Sequence, residues 1–332
     1  MIRRRALGWL AAAAAGLLLA GCVAGRREFS AVIPEIDSGR SSTAIPHILD
    51  NTQGQQRTEE QKAYGSAGLI AWPTAVVSVY LDSTDGTAWD EASIAETRAK
   101  LDLAVDWIDG QAARYGMSTT LYHDDGTEDS GLFYRETFDG SFVGGVDGEE
   151  SEALYARISA LCRSLDSRAL HQKYNTSSVA FLFFLPVSGS SYSIVHYLED
   201  GSANYYEYSI LYAGDAYTDA PETPAVYAHE LLHQYGAPDL YEGSSDYYVT
   251  PMLSRYVALH WPDAIMYDTY NPDGSMSWDE IPQQLCPLTA YRLGLCSSFA
   301  GLESWPDVGG NPPGTFAEEA VEESNLRQEV AV

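Results

Sequence analysis

The stretch that most limits how this chain can fold is Ala228-His229-Glu230-Leu231-Leu232-His233-Gln234-Tyr235-Gly236-Ala237-Pro238-Asp239. On a helix, His229 and His233 are four residues apart and leave the same face. Two neutral imidazoles so placed can hold a zinc ion. Glu230 lies beside that face, where its carboxylate can reach a water at the metal and act as general base. The start of the helix is also written locally. Thr223 is a suitable N-cap and Pro224 fits the first helical position. Ala225, Val226, Ala228, Leu231 and Leu232 supply a face to bury.

The residues after His233 bring in a third ligand. A straight helix would carry residue 239 roughly 9 Å further along, at ~1.5 Å per residue. Gly236 can take the left-handed conformation that ends a helix and reverses the chain. Pro238 keeps the helix from resuming. Asp239 can then fold back as the third ligand, leaving a fourth position for water. Glu242 and Glu280 are the alternatives if the third ligand is a downstream glutamate, and His260 is another. His123, His171 and His196 have no partner at metal-ligand spacing.

This segment resembles the extended zinc motif of metzincin-type metallopeptidases, in the version with aspartate as third ligand. Gly236-Ala237-Pro238-Asp239-Leu240-Tyr241 is similar to the matching segment of peptidases related to immune inhibitor A. Ala264-Ile265-Met266-Tyr267 matches the family's methionine turn. The resemblance implies a metzincin-like zincin of α/β (α+β) class. Its mixed twisted sheet would have an antiparallel edge strand and be packed by two long helices and the zinc helix. It also implies one catalytic Zn2+, a Met266 that packs under the ligands without coordinating, and protein or peptide substrates. Tyr267 and Tyr270 are candidate oxyanion stabilisers, since a phenol can donate to developing charge. Many metzincins carry a tyrosine two residues after the methionine, and here Asp268 stands there.

The N-terminus points outside the cytoplasm. Arg3, Arg4 and Arg5 precede an apolar run, Ala6 to Ala20, too short for a stable membrane span. The run ends in Leu19-Ala20-Gly21-Cys22, which resembles a bacterial lipobox. An ordinary secretory signal with an incidental cysteine is the alternative. The expected organisation is a signal peptide over 1–21, lipidation at Cys22, a polar tether over 22–66, a metallopeptidase domain over 67–300 and an acidic tail over 301–332. Such a chain would be exported and held at the cell envelope or cell surface.

Charge narrows the partners. The chain has 19 Lys and Arg against 47 Asp and Glu, a formal net charge of −28. Such a surface repels nucleic acid and anionic headgroups, so membrane contact is expected through the N-terminal lipid alone and the protein is expected to be a monomer. Cysteines are sparse. Cys286 and Cys296 are close enough in sequence to pair in an oxidising compartment, and Cys162 falls in an apolar helical pattern as a buried thiol.

Patterning predicts the remaining elements. Thr74 to Leu81 reads as a central strand and Thr87 as the cap of a helix running to Tyr115. Strands follow at 118–123 and 131–137, then a second helix over 149–174. The most apolar run, 178–187, reads as a buried parallel strand. Strands at 191–198 and 203–212 flank Glu199-Asp200-Gly201-Ser202, a hairpin signal. The outer of these, by the resemblance, would rim the cleft and pair with a peptide. Helices are expected at 250–259 and 287–295. The reading that follows is a lipid-anchored zinc endopeptidase. The alternative is a surface lipoprotein that uses the same scaffold to bind without catalysis.

Overall fold

The run Ser178–Gly189 is buried along nearly its whole length because both of its faces are covered. In the computed structural model, residues 65–146, 148–195, 205–244, 246, 248–305 and 308 are described. The signal segment with Cys22, nearly all of the tether, the 196–204 connection and the tail beyond 308 lie outside them. The elements in chain order are β1 (Thr74–Ser83), α1 (Glu91–Ala113), β2 (Leu121–Tyr122), β3 (Phe133–Phe138), α2 (Glu152–Leu165), α3 (Arg168–Tyr174), β4 (Ser178–Gly189), β5 (Tyr192–Ile194), β6 (Tyr208–Asp215), α4 (Pro224–His233), α5 (Pro251–His260) and α6 (Pro287–Arg292).

The sheet order is β2–β1–β4–β6–β5, with β3 also pairing with β1. β1, β2, β3, β4 and β6 run parallel, and β5 pairs antiparallel with β6 at the edge. This is the mixed α/β sheet with an antiparallel edge strand that the sequence leads one to expect. Parallel strands need helical crossovers, which cover both faces and explain the continuous apolar runs. Alternation then sorts side chains between two cores. Val179, Phe181, Phe183 and Leu185 join Leu154, Ile158 and Leu161 of α2 on one side. Ala180, Leu182 and Phe184 face α1 and α4 on the other, with Tyr227, Leu231 and Met266.

Several expected boundaries move. α1 starts at Glu91 and its cap is Asp90, whose carboxylate accepts from Ser93 N at 2.7 Å. Thr87 instead gives its amide to Asp85 in the preceding turn. The expected helix over 149–174 breaks at Asp166-Ser167, where Ser167 caps α3. The break lets Asp166 accept from His171 and Tyr206, at 2.6 and 3.0 Å. The helix after Pro287 stops at Arg292. β5 is confined to three residues. Cys286 and Cys296 do not pair: both are free thiols, Cys286 with its sulfur 3.3 Å from the Thr289 hydroxyl. Cys162 is a buried free thiol, as expected.

One buried amide ties the sheet to α4. Gln234, just past the last turn, donates to the Phe181 carbonyl at 3.1 Å and to Ser209 Oγ at 2.8 Å. Its own carbonyl accepts from Phe181 N at 3.3 Å. Replacing Gln234 by alanine removes these bonds and opens a cavity between α4 and β4. It should cost about 2–4 kcal/mol, read as a lower urea midpoint with an unchanged slope.

Candidate metal centre

α4 carries the first two candidate ligands because its apolar face is pressed into the core. Ala228, Leu231 and Leu232 are buried against the sheet, and His229 is left 8 % exposed and Glu230 5 % exposed at the rim of a cleft. Thr223 stands at the N-cap with Pro224 in the first turn, although the Thr223 hydroxyl makes no capping bond.

The end of α4 follows from Gly236. At φ +91° it takes the left-handed conformation. Gly236 N donates to His233 O at 2.9 Å and Ala237 N to Leu232 O at 3.2 Å, the paired bonds of a Schellman end. The reversed chain is then pinned by Leu240 N on the Met266 carbonyl at 2.7 Å. Asp239 is thereby brought back over the histidines.

Three atoms converge there. His229 Nε2 and His233 Nε2 are 3.1 Å apart, and Asp239 Oδ1 is 3.1 Å from the first and 3.3 Å from the second. The tautomers are set from behind. His229 Nδ1 is 2.9 Å from the Ile265 carbonyl and His233 Nδ1 2.8 Å from the Ala237 carbonyl. A carbonyl only accepts, so both Nδ1 atoms carry hydrogen and both neutral rings aim a lone pair at the same point. Asp239 Oδ2 accepts from the Tyr241 hydroxyl at 2.9 Å, while buried Oδ1 faces the two Nε2 atoms. Three acceptors within 3.3 Å repel one another unless a cation lies between them. Ligands about 2.0–2.1 Å from a tetrahedral ion stand about 3.3–3.4 Å apart, so the trio fits a small divalent metal.

Protons and a metal compete for those lone pairs. Burial works to lower His233, but the bond to Asp239 and the Glu230 charge outweigh it and bring it up to about 9. Burial works to raise Asp239, but its bonds to the two imidazoles hold its carboxyl well below the usual range.

The other sequence candidates are not at this point. Glu242, Glu280 and His260 are exposed, and the His260 ring lies tilted against Tyr256 with centroids 4.2 Å apart. Among the described residues, His229, His233 and Asp239 are the metal-binding type of cluster that the fold assembles. Met266 is fully buried in the core cluster that holds Ala228 and Leu231. The backbone of its turn does the positioning: the Ile265 carbonyl orients His229, and the Met266 carbonyl anchors the segment that carries Asp239.

A cavity of about 350 Å3 lies alongside, lined by His229, Glu230, Tyr241, Tyr267 and Tyr270 among others. Glu230 Oε2 accepts from Ser193 Oγ of the edge strand β5 at 2.7 Å, which aims the carboxylate. Tyr270 spends its hydroxyl proton on Asp215 Oδ2 at 3.1 Å. Ser193 is not marked by the sequence, and Tyr241 enters there only as the end of the Gly236–Tyr241 segment, without a role. No motif signals the serine, since its role arises only when β5 pairs with β6. Tyr241 had a signal, lying two residues after Asp239.

No protein-family model matches this chain, and no curated protein matches it. Among solved structures it is similar to metalloproteinase-II from Bacteroides fragilis, at 15% identity and a TM-score of 0.30. The match covers 70% of this chain and 59% of that one, so the chain spans less than two thirds of that protein's length.

Metal binding should be linked to protons. At neutral pH the ion has to displace a proton from His233, so apparent affinity should rise about tenfold per pH unit up to about 9 and fall as pH drops. Titration with a competing chromophoric chelator across pH would read this directly. In the same assay Asp239→Ala should abolish tight binding, and Tyr241→Phe should weaken it about tenfold. Alanine at Glu242, Glu280 or His260 should leave it unchanged.

Proposed function

We propose that this chain is a lipid-anchored, extracytoplasmic zinc endopeptidase of the metzincin type. The observation that carries the reading is the placement of Glu230. A buried carboxylate, held by a serine of the sheet edge, stands on the wall of a cavity beside three converged metal-ligand atoms. Two imidazoles and one carboxylate suit zinc, and three protein ligands match a catalytic rather than a closed structural site. The zinc, when bound, would supply Lewis acidity toward a carbonyl and toward water.

The chain's own residues do the remaining work in this reading. Glu230 accepts the proton of the attacking water and returns it to the leaving amine. Ser193 keeps that carboxylate aimed by donating to Oε2. The carbonyls of Ile265 and Ala237 keep both imidazoles in the ligand tautomer. Tyr241 turns Asp239 so that Oδ1 faces the histidines. Tyr267 is the preferred donor to the oxyanion, because Tyr270 has given its proton to Asp215. β5 is the outermost strand, so its free edge can pair with an extended peptide and lay it across the cleft. The location rests on the N-terminal residues alone: the basic start, the apolar run and the Leu-Ala-Gly-Cys end at Cys22.

Glu230→Gln should retain the metal and lose roughly 10²–10⁴-fold in peptide cleavage. Elemental content and turnover of a quenched-fluorescent peptide library report the two properties separately, and unchanged turnover would remove the general-base role. The anchor has its own test. In a detergent phase partition of the chain expressed in a bacterium, the protein should enter the detergent phase, and Cys22→Ser should move it to the aqueous phase.

A further inference from the structure

The cavity beside Glu230 has a chemistry that none of the catalytic roles uses. It runs along α4 from Thr223 to Glu230 and faces the segment 267–270. Asp215, Glu222, Glu230 and Asp268 line it, and among the described residues no lysine or arginine does. Two of these carboxylates are answered locally. Asp215 accepts from the amides of Tyr217 and Thr218 and from the Thr218 and Tyr270 hydroxyls. Asp268 accepts from Tyr270 N at 2.9 Å.

Glu222 is different. It is 4 % exposed and lines the cavity. Among the described residues its carboxyl is met by the Thr223 amide and by Ser191 Oγ, the latter at 3.5 Å, longer than an ordinary O–H···O bond, and by no cationic side chain. Burial, with the charges of Asp215 and Glu230 nearby, pushes its carboxyl up to about 8, the mark of an acid without a counter-charge. Buried carboxyls are normally paired or fully bonded, and this one is left facing open space of side-chain size.

We propose that this cavity receives a lysine or arginine side chain of the peptide next to the scissile bond, with its cationic head on Glu222 and Asp268. The inference rests on the peptidase reading only in making the ligand part of a substrate. Val226 gives the aliphatic stem an apolar wall, and the Tyr267 and Tyr270 rings suit a guanidinium or ammonium beside them. An acidic side chain would meet four carboxylates and be excluded.

Calorimetric titration of the full chain with acetyl-arginine amide and acetyl-leucine amide, with and without a chelator, tests the cavity apart from catalysis. The arginine amide should bind at least tenfold more tightly. Glu222→Gln should lose roughly ten- to a hundredfold of that advantage, the worth of a hydrogen bond to a charged group. Asp268→Asn gives a second variant if the first fails to fold. Equal binding of the two amides, including none, overturns the proposal, as does an advantage that survives both substitutions. A peptide library read for the residues flanking each cut completes the test, with lysine and arginine expected there. Arginine-amide binding with no peptide cleaved keeps the cavity assignment and removes the peptidase reading. Cleavage without a basic preference does the reverse.

Discussion

Three electron-rich atoms held within 3.3 Å of one another are the constraint on which the rest of this structure turns. Left alone they repel, so the fold has to hold each from behind. It does so with backbone carbonyls on the two imidazoles and a tyrosine hydroxyl on the carboxylate. Each support comes from a different part of the chain. The Ile265 carbonyl belongs to the 264–266 segment, the Ala237 carbonyl to the helix end, and Tyr241 to the loop beyond. The site therefore depends on the docking of α4, its terminating turn and the 264–266 segment as one unit.

That unit is braced by the sheet. Gln234 bonds α4 to Phe181 on β4 and to Ser209 on β6, and Ser209 in turn touches Ser193 of β5 at 2.8 Å. The same Ser193 aims Glu230. A short line of hydrogen bonds thus links the edge strand, the sheet interior and the general-base candidate. A strand slip of one residue would turn Ser193 to the opposite face and leave Glu230 unaimed. The polar chemistry sits where the parallel sheet ends and one antiparallel strand begins.

Some of this was legible in the chain because the signals are local. The histidine spacing, Pro224 and Gly236 each act within a turn of helix, where periodicity and left-handed preference need no tertiary partner. The runs at 74–81 and 178–187 read as buried strands because a parallel sheet leaves no polar face. Local signals also misled. Thr87 is a good cap by type, yet Asp90 caps α1, since the turn at 82–86 engages the Thr87 amide first. The 149–174 pattern is periodic throughout, and its break is set by Asp166 reaching His171 and Tyr206. Proximity in sequence suggested a bond between Cys286 and Cys296, but α6 intervenes and each thiol finds other neighbours.

By itself the sequence determined the helix that carries His229, Glu230 and His233, its end at Gly236, and the offset that lets Asp239 return. Those are properties of backbone preference over a few residues. Only the tertiary structure decided that Asp239 and not Glu242, Glu280 or His260 meets the histidines. It alone brought Ser193 to Glu230 and left Glu222 buried at a cavity. These depend on which distant backbone atoms face each other once two cores have formed on either side of one sheet. No spacing along the chain encodes that distance.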